Sequence, residues 1–357
     1  MKKQILLLAA VMVLFSCEKS PKGSAYDVPT PSFAKGADVS WVSEMEAGGK
    51  TFKTRSGSQA DIFESLASCG INSIRLRVWV KPSGGWSGKA DVVALAERAA
   101  KAGMALMIDF HYSDFFADPG TQTIPDDWKA DKADIAKMCA HVKDHTTDVL
   151  EAIKDKGVTP AWIQIGNETR NGMLWPLGQL WGSDQVGGWA NFAKLYKAGY
   201  DAAKAVFPKA KVMPHLNNAY ADNAWWFTEL KKYASFDMIA LSHYPQGENK
   251  MTPKEYNSEA ARQINLLAMQ FGVPVMVSEV GVKTPDNEAL AKEILKDFMD
   301  QIKKLPASKC AGVFYWEPEV YDWWKPAIYT SKGWNAYGQG AYLSGGKPSS
   351  VMDVFAE

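Results

Sequence analysis

A strand-and-helix unit recurs along most of this chain, and that recurrence limits the fold more than any other feature. Short apolar, β-branched segments fall near residues 35–41, 71–79, 104–111, 161–167, 210–216, 236–243, 273–279 and 311–316. Amphipathic stretches separate them. Trp189, Phe192, Tyr196, Gly199 and Ala203 step by three and four, and Leu290, Ile294, Phe298 and Ile302 step by four, the spacing of one helical face. Eight such units predict an α/β fold, a single (β/α)8 TIM barrel over residues 34–357. A doubly wound open sheet is the alternative, but no Gly-rich nucleotide fingerprint follows the first strand.

The residues before the barrel read as an address. Lys2 and Lys3 precede an apolar run from Ile5 to Phe15, too short to span a bilayer as a mature helix. The run ends in Leu14-Phe15-Ser16-Cys17, which resembles the lipobox of bacterial lipoproteins. Residues 1–16 are thus expected to be a lipoprotein signal peptide, with Cys17 lipidated. An ordinary secretory signal is the rival reading. Residues 17–33, rich in Lys, Ser, Pro and Gly, read as a flexible tether. The protein is expected to be exported and lipid-anchored to a bacterial membrane, at the cell surface or in the periplasm. Cys69, Cys139 and Cys310 remain, an odd number without CxxC spacing, which points to buried thiols and not to a metal site or disulfide framework. Forty basic side chains balance 40 acidic ones, so no basic surface for nucleic acid is expected. The 14 Trp residues exceed what a core needs, and flat indole faces suit sugar rings.

Active sites of this fold lie at the C-terminal ends of the strands. Here those ends carry Asp38 and Trp41, Arg75 to Trp79, Asp109 to Tyr112, Asn167 and Glu168, His215 to Asn218, His243 and Tyr244, Glu279 and Trp316. Strand alternation puts Arg75 and Arg77 on the face opposite Ile74, Leu76 and Val78, and so toward the barrel mouth. Glu168 ends the fourth strand and Glu279 the seventh. A carboxylate straight after apolar strand residues is costly to desolvate unless it is paired or functional. Two from opposite sides of a ring match glycosidic cleavage, in which one carboxyl protonates the leaving oxygen while the other attacks the anomeric carbon or activates water. The bland alternative is that each Glu caps a following helix or pairs with Arg75 or Arg77.

Several strings narrow the choice: Lys35-Gly-Ala-Asp-Val-Ser40, Ile74-Arg-Leu-Arg-Val-Trp79, Asp109-Phe-His-Tyr-Ser-Asp114, Gly166-Asn-Glu168 and Gly312-Val-Phe-Tyr-Trp-Glu-Pro318. From about Lys35 to Phe355 the chain resembles family 53 of the glycoside hydrolases, the arabinogalactan endo-β-1,4-galactanases, within the retaining clan of (β/α)8 glycosidases. The resemblance implies an endo-hydrolase acting by double displacement on β-1,4-galactan, the side chain of pectic polysaccharide. Glu168 would be the general acid/base and Glu279 the nucleophile, with Arg75 or Arg77 keeping Glu279 charged. Asn167 matches the Asn that hydrogen-bonds the sugar 2-hydroxyl. His111, His243 and Asp109 are candidates for the catalytic subsite, with Asp109 orienting His111. Trp316 is the candidate floor under the sugar, and Trp79, Trp86, Trp175 and Trp181 are candidates for further subsites.

Two departures stand out. The family string after the fifth strand usually reads His-Leu-Asp-Asn-Gly, whereas this chain has His215-Leu-Asn-Asn-Ala219, so Asn217 removes a negative charge near the cleft, with an altered sugar contact or subsite strength as the expected effect. Some bacterial members hold calcium in a long loop after strand eight. The segment from Glu319 to Gly346 lacks clustered carboxylates, and no metal or other cofactor is expected. The expected partners are galactan and galacto-oligosaccharides, met by a monomer that touches membrane only through its lipid. A mannanase or glucanase of the same clan, or a non-catalytic glycan-binding lipoprotein, are the rival functions.

Overall fold

The computed structural model describes residues 25–245, 251–283, 287–336 and 338–357. The signal peptide, Cys17 and the first part of the expected tether lie outside the described residues. From Ala25 the chain already lies against the barrel. The Ala25 amide donates to the Gly157 carbonyl at 2.9 Å, and Val28 and Phe33 pack on the core.

Eight parallel strands form the barrel wall: β1 (Ala34–Asp38), β2 (Ser73–Val78), β3 (Ala105–Phe110), β4 (Trp162–Ile165), β5 (Lys211–Met213, resuming at His215–Leu216), β6 (Ile239–His243), β7 (Val275–Val280) and β8 (Cys310–Trp316). The ring closes through β5, whose first part pairs with β4 and whose second part pairs with β6. Pro214 divides it because proline has no N–H to donate, while the Pro214 carbonyl still accepts from the Ala240 amide at 3.0 Å.

The main crossover helices are α1 (Val42–Ala47), α2 (Ile62–Ala67), α3 (Lys89–Lys101), α4 (Ile135–Asp155), α5 (Gly188–Val206), α6 (Ala224–Lys231), α7 (Pro253–Phe271) and α8 (Glu288–Ile302). The start of α7 is fixed by a capping box between Thr252 and Glu255, with Pro253 in the first turn. On α5 the stripe Phe192, Tyr196, Gly199 and Ala203 is buried against the wall. Gly199 is required there, since a Cβ would lie 2.6 Å from the Tyr112 hydroxyl and 2.8 Å from Ile165. The expected stripe on α8 holds for Ile294, Phe298 and Ile302. Leu290, in its first turn, is instead 49 % exposed.

Alternation within the strands separates two apolar regions. Ile74, Leu76, Ile108, Ile163 and Ile165 face the helices, whereas Met107, Trp162, Met213, Met276 and Phe314 fill the lower barrel interior. Gly36 leaves room for Phe314, whose ring would sit 2.1 Å from an added Cβ. This plug closes the bottom, so the polar upper layer opens only at the C-terminal mouth. Cys69, Cys139 and Cys310 are free thiols, with Cys69 and Cys310 fully buried. Among the described residues no helix is long and apolar enough to cross a membrane.

Candidate active site

The mouth of the barrel holds a cavity of about 280 Å³ lined by Arg75, Arg77, His111, Phe116, Ala117, Asp118, Asn167, Glu168, Tyr244, Glu279, Trp316, Tyr329 and Trp334. Its floor is one buried cation. Arg75, 1 % exposed, meets Asp38 at 2.7 Å, Asp109 at 2.8 Å and Glu279 at 2.9 Å, and reaches the Asn167 side-chain oxygen at 3.0 Å. Burial works against its charge, but the three carboxylates hold it more firmly protonated than a free guanidinium. Arg77 pairs with Glu317 and lies 3.9 Å from the centroid of the Trp41 ring. Of the two arginines, Arg75 is therefore the one beside Glu279.

Glu279 owes its orientation to an irregularity in β7. Met276 points into the barrel and Val277 out of it, so strict alternation would turn Ser278 inward and Glu279 outward. The ladder to β6 instead skips a residue, pairing Leu241 with Val277 and then Ser242 with Glu279. A bulge of this kind re-aims one side chain, and here it turns the carboxyl into the mouth. Burial raises the Glu279 pKa above the ordinary carboxylate value, and the Arg75 charge and the Tyr244 hydroxyl, donating at 2.8 Å, offset part of that rise.

Glu168 follows β4 in a left-handed backbone conformation, φ 47° and ψ 49°, sparsely populated for a residue with a Cβ. It precedes the short 3-10 turn Thr169–Asn171 without capping it through its side chain. Nor does an arginine contact it as Arg75 contacts Glu279, so neither bland reading accounts for this residue. Burial, then the charge on Glu279, push its pKa up to about 8. The carboxyls thus sit in unequal surroundings: one is held toward its anionic form by a cation and a hydroxyl, the other toward its neutral form.

A chain of hydrogen bonds runs beneath them. His215 Nδ1 receives Gln164 Nε2 at 2.9 Å and the Glu168 amide at 3.3 Å, which leaves Nε2–H to donate to Ser242 Oγ at 2.8 Å. Ser242 in turn donates to Glu279 Oε2 at 3.3 Å. Burial and the Arg75 charge keep His215 neutral, its pKa well below the usual histidine value. Asp109 takes His111 Nε2 at 2.9 Å, Arg75, and Gln164 at 2.5 Å. Burial would raise its pKa, but Arg75 and His111 hold it below the ordinary carboxylate range. His111 Nδ1 accepts from the Ala117 amide at 3.0 Å, which fixes the ring. Asn167 donates one N–H to the Ala117 carbonyl at 2.7 Å and keeps a second.

Not every expected residue arrives here. His243 lies on the outer side of β6, bonded to Asn257 of α7 at 2.8 Å and packed against Phe298 of α8, ring centroids 4.3 Å apart and tilted by 34°. Ala240 faces inward, so alternation turns Ser242 and Tyr244 inward and His243 outward. Trp79 is 1 % exposed, packed edge-on to Trp41, and Asn217 does not line the cavity. Trp86 and Trp175 do not line it either. Residues given no role in the site from sequence are Ser242, Tyr244 and His215, all legible from strand alternation, and Phe116, Tyr329 and Trp334, of which Phe116 and Trp334 arrive on loops and Tyr329 on the short helix Ala327–Ser331, none governed by strand alternation. After β8, Asp322 pairs with Lys50 at 3.1 Å, and among the described residues no group of three or more His, Cys, Asp or Glu is placed to hold a metal ion.

Comparison with known proteins agrees with this geometry. Residues 34–355 match Glycosyl hydrolase family 53, and the chain belongs to that family. It is 31 % identical over 303 residues to an arabinogalactan endo-β-1,4-galactanase of Thermothelomyces thermophilus, covering 80 % of this chain and 89 % of the relative. Among solved structures, a fungal β-1,4-galactanase is similar with TM-score 0.76 and 28 % identity, covering 90 % of this chain and 98 % of that one. The catalytic domain of an Ignisphaera aggregans family 53 protein is similar with TM-score 0.78 and 25 % identity, covering 94 % and 98 %.

Proposed function

We propose that this family 53 glycoside hydrolase is an endo-β-1,4-galactanase that cuts galactan side chains of pectic polysaccharide with retention of configuration. The observation that carries the mechanism is the pair of unequal carboxyls in one cavity. Glu168, neutral below pH about 8, gives its proton to the glycosidic oxygen as that bond breaks. Glu279, kept anionic by Arg75 and Tyr244, attacks the anomeric carbon and forms a galactosyl ester. Glu168, now a carboxylate, takes a proton from water, and the hydroxide displaces Glu279 and restores both groups. The second N–H of Asn167 faces the sugar 2-hydroxyl, and Trp316 forms the apolar floor. Arg75, Asp109, His111 and His215 act by holding these groups in place.

The substrate assignment rests on the named relatives. Purified protein should release galacto-oligosaccharides from unbranched β-1,4-galactan and leave β-mannan and mixed-linkage β-glucan intact. Cleavage of either of the latter in preference would overturn the sugar, and binding without cleavage would overturn the enzyme. Glu168→Ala and Glu279→Ala should each lower turnover by several orders of magnitude with the fold intact. Azide should partly rescue Glu168→Ala on an activated aryl glycoside. A variant with near-normal activity would refute its assigned role. Export and lipid attachment at Cys17 are part of the proposal on the sequence of residues 1–33 alone. The wild type should sediment with membranes and Cys17→Ser should not, and a soluble wild type would overturn this.

A further inference from the structure

Outside the cavity, on the flank that carries Glu168, two tryptophans present themselves to solvent. Trp181 is 45 % exposed and Trp225 is 46 % exposed, with ring centroids 6.2 Å apart at 49°. Large exposed indoles set side by side are unusual unless a ligand covers them. Trp225 is supported from behind by Trp189, edge-on at 6.4 Å, and Trp189 in turn packs on Trp226 at 5.4 Å.

Both tryptophans lie beside the same three-residue turn that follows Glu168. Asn171 accepts the Trp181 amide at 2.9 Å through its side chain. Arg170 bonds Asn223 at 2.5 Å, its carbonyl accepts Trp226 Nε1 at 3.0 Å, and its guanidinium lies 5.9 Å from the Trp225 ring centroid. The turn that places the acid therefore also places the aromatic pair. In glycosidic cleavage the leaving half of the chain lies on the side of the residue that protonates the bond.

We infer that Trp181 and Trp225 form a stacking platform for the leaving-group half of the polysaccharide, one or more sugar residues beyond the cleavage point. The inference rests on Glu168 being the general acid. Indole faces hold the apolar faces of pyranose rings, and the opposite aromatic group, Trp316, Tyr329 and Trp334, is left for the half that becomes bonded to Glu279. The platform adds affinity only for substrates long enough to leave the cavity on the Glu168 side.

The test compares two substrates in the full-length protein: long β-1,4-galactan, and an aryl β-galactobioside whose leaving group is one aryl ring. Trp181→Ala with Trp225→Ala should lower the ratio of polymer kcat/KM to aryl-glycoside kcat/KM by about tenfold or more, the scale of losing an interface tryptophan. Both side chains are half exposed, so the melting temperature checks that the fold is kept. An unchanged ratio, whether both activities stay level or fall together, overturns the inference. A wild type that does not cut galactan would overturn the proposed function and the platform with it. A wild type that does, with an unchanged ratio in the variant, overturns the platform alone.

Discussion

Replacing Tyr244 by Phe isolates one interaction that holds the Glu279 charge. The change removes a single hydroxyl, which donates to Glu279 Oε2 at 2.8 Å, and leaves the ring beside Trp316 at 6.4 Å. Burial and the neighbouring Glu279 charge keep that hydroxyl protonated, its pKa well above the usual tyrosine value, so it is a donor throughout the working range. A hydrogen bond to a charged group contributes about 1.5–3 kcal/mol. At 1.36 kcal/mol per pKa unit, its loss should raise the pKa of Glu279 by about one to two units. On the proposed mechanism, the pH profile of kcat/KM should have an acid limb set by ionisation of Glu279 and a base limb set by deprotonation of Glu168 near pH 8. In Tyr244→Phe the acid limb should move up by about one to two pH units while the base limb stays. The loss is therefore steep on the acid side, about 10- to 100-fold there, and small near neutrality. The assay is initial rate on an aryl galactobioside from pH 4 to 9. An acid limb that stays or moves down, or an equal loss at every pH, would refute the reasoning.

Two further substitutions test the packing. His243→Ala removes the bond to Asn257 and the packing against Phe298, so it should cost about 1–3 kcal/mol in denaturant unfolding. It should leave kcat/KM per folded molecule within about twofold, whereas a large activity loss at unchanged stability would return His243 to the site. Gly36→Ala drives a Cβ to 2.1 Å from the Phe314 ring and should lower stability by about 1–3 kcal/mol. An unaltered melting temperature would show that the barrel plug is looser than described.

Much of this was legible in the sequence because a barrel strand obeys a simple rule. Apolar, β-branched runs mark the wall, and alternation from Ile74 put Arg75 and Arg77 in the mouth, where they are found. The same rule, applied from Ala240, would have selected Ser242 and Tyr244. His243 drew attention as a residue type, against its own parity. Glu279 shows the opposite case. Alternation from Met276 points it outward, and only the bulge between Val277 and Glu279 turns it in. Nothing in Val-Met-Val-Ser-Glu announces an extra residue, because the bulge arises from pairing with β6 and β8. The aromatic wall of Phe116, Tyr329 and Trp334 was hidden for a related reason. Those rings lie outside the barrel strands, Tyr329 on the short helix Ala327–Ser331, and their meeting depends on how two distant connections fold over the mouth. Trp79 shows the reverse error, since a tryptophan at a strand end reads as a sugar platform although this one packs against Trp41 and Phe116.

The most direct test of the mechanism is the anomeric form of the first product. Proton NMR during rapid cleavage of β-1,4-galactan should show the new reducing ends appearing as the β anomer, with the α anomer growing in later by mutarotation. Retention requires Glu279 to have held the sugar covalently and Glu168 to have acted twice. First appearance of the α anomer would mean direct attack by water, and would contradict the assignment of Glu279 as nucleophile.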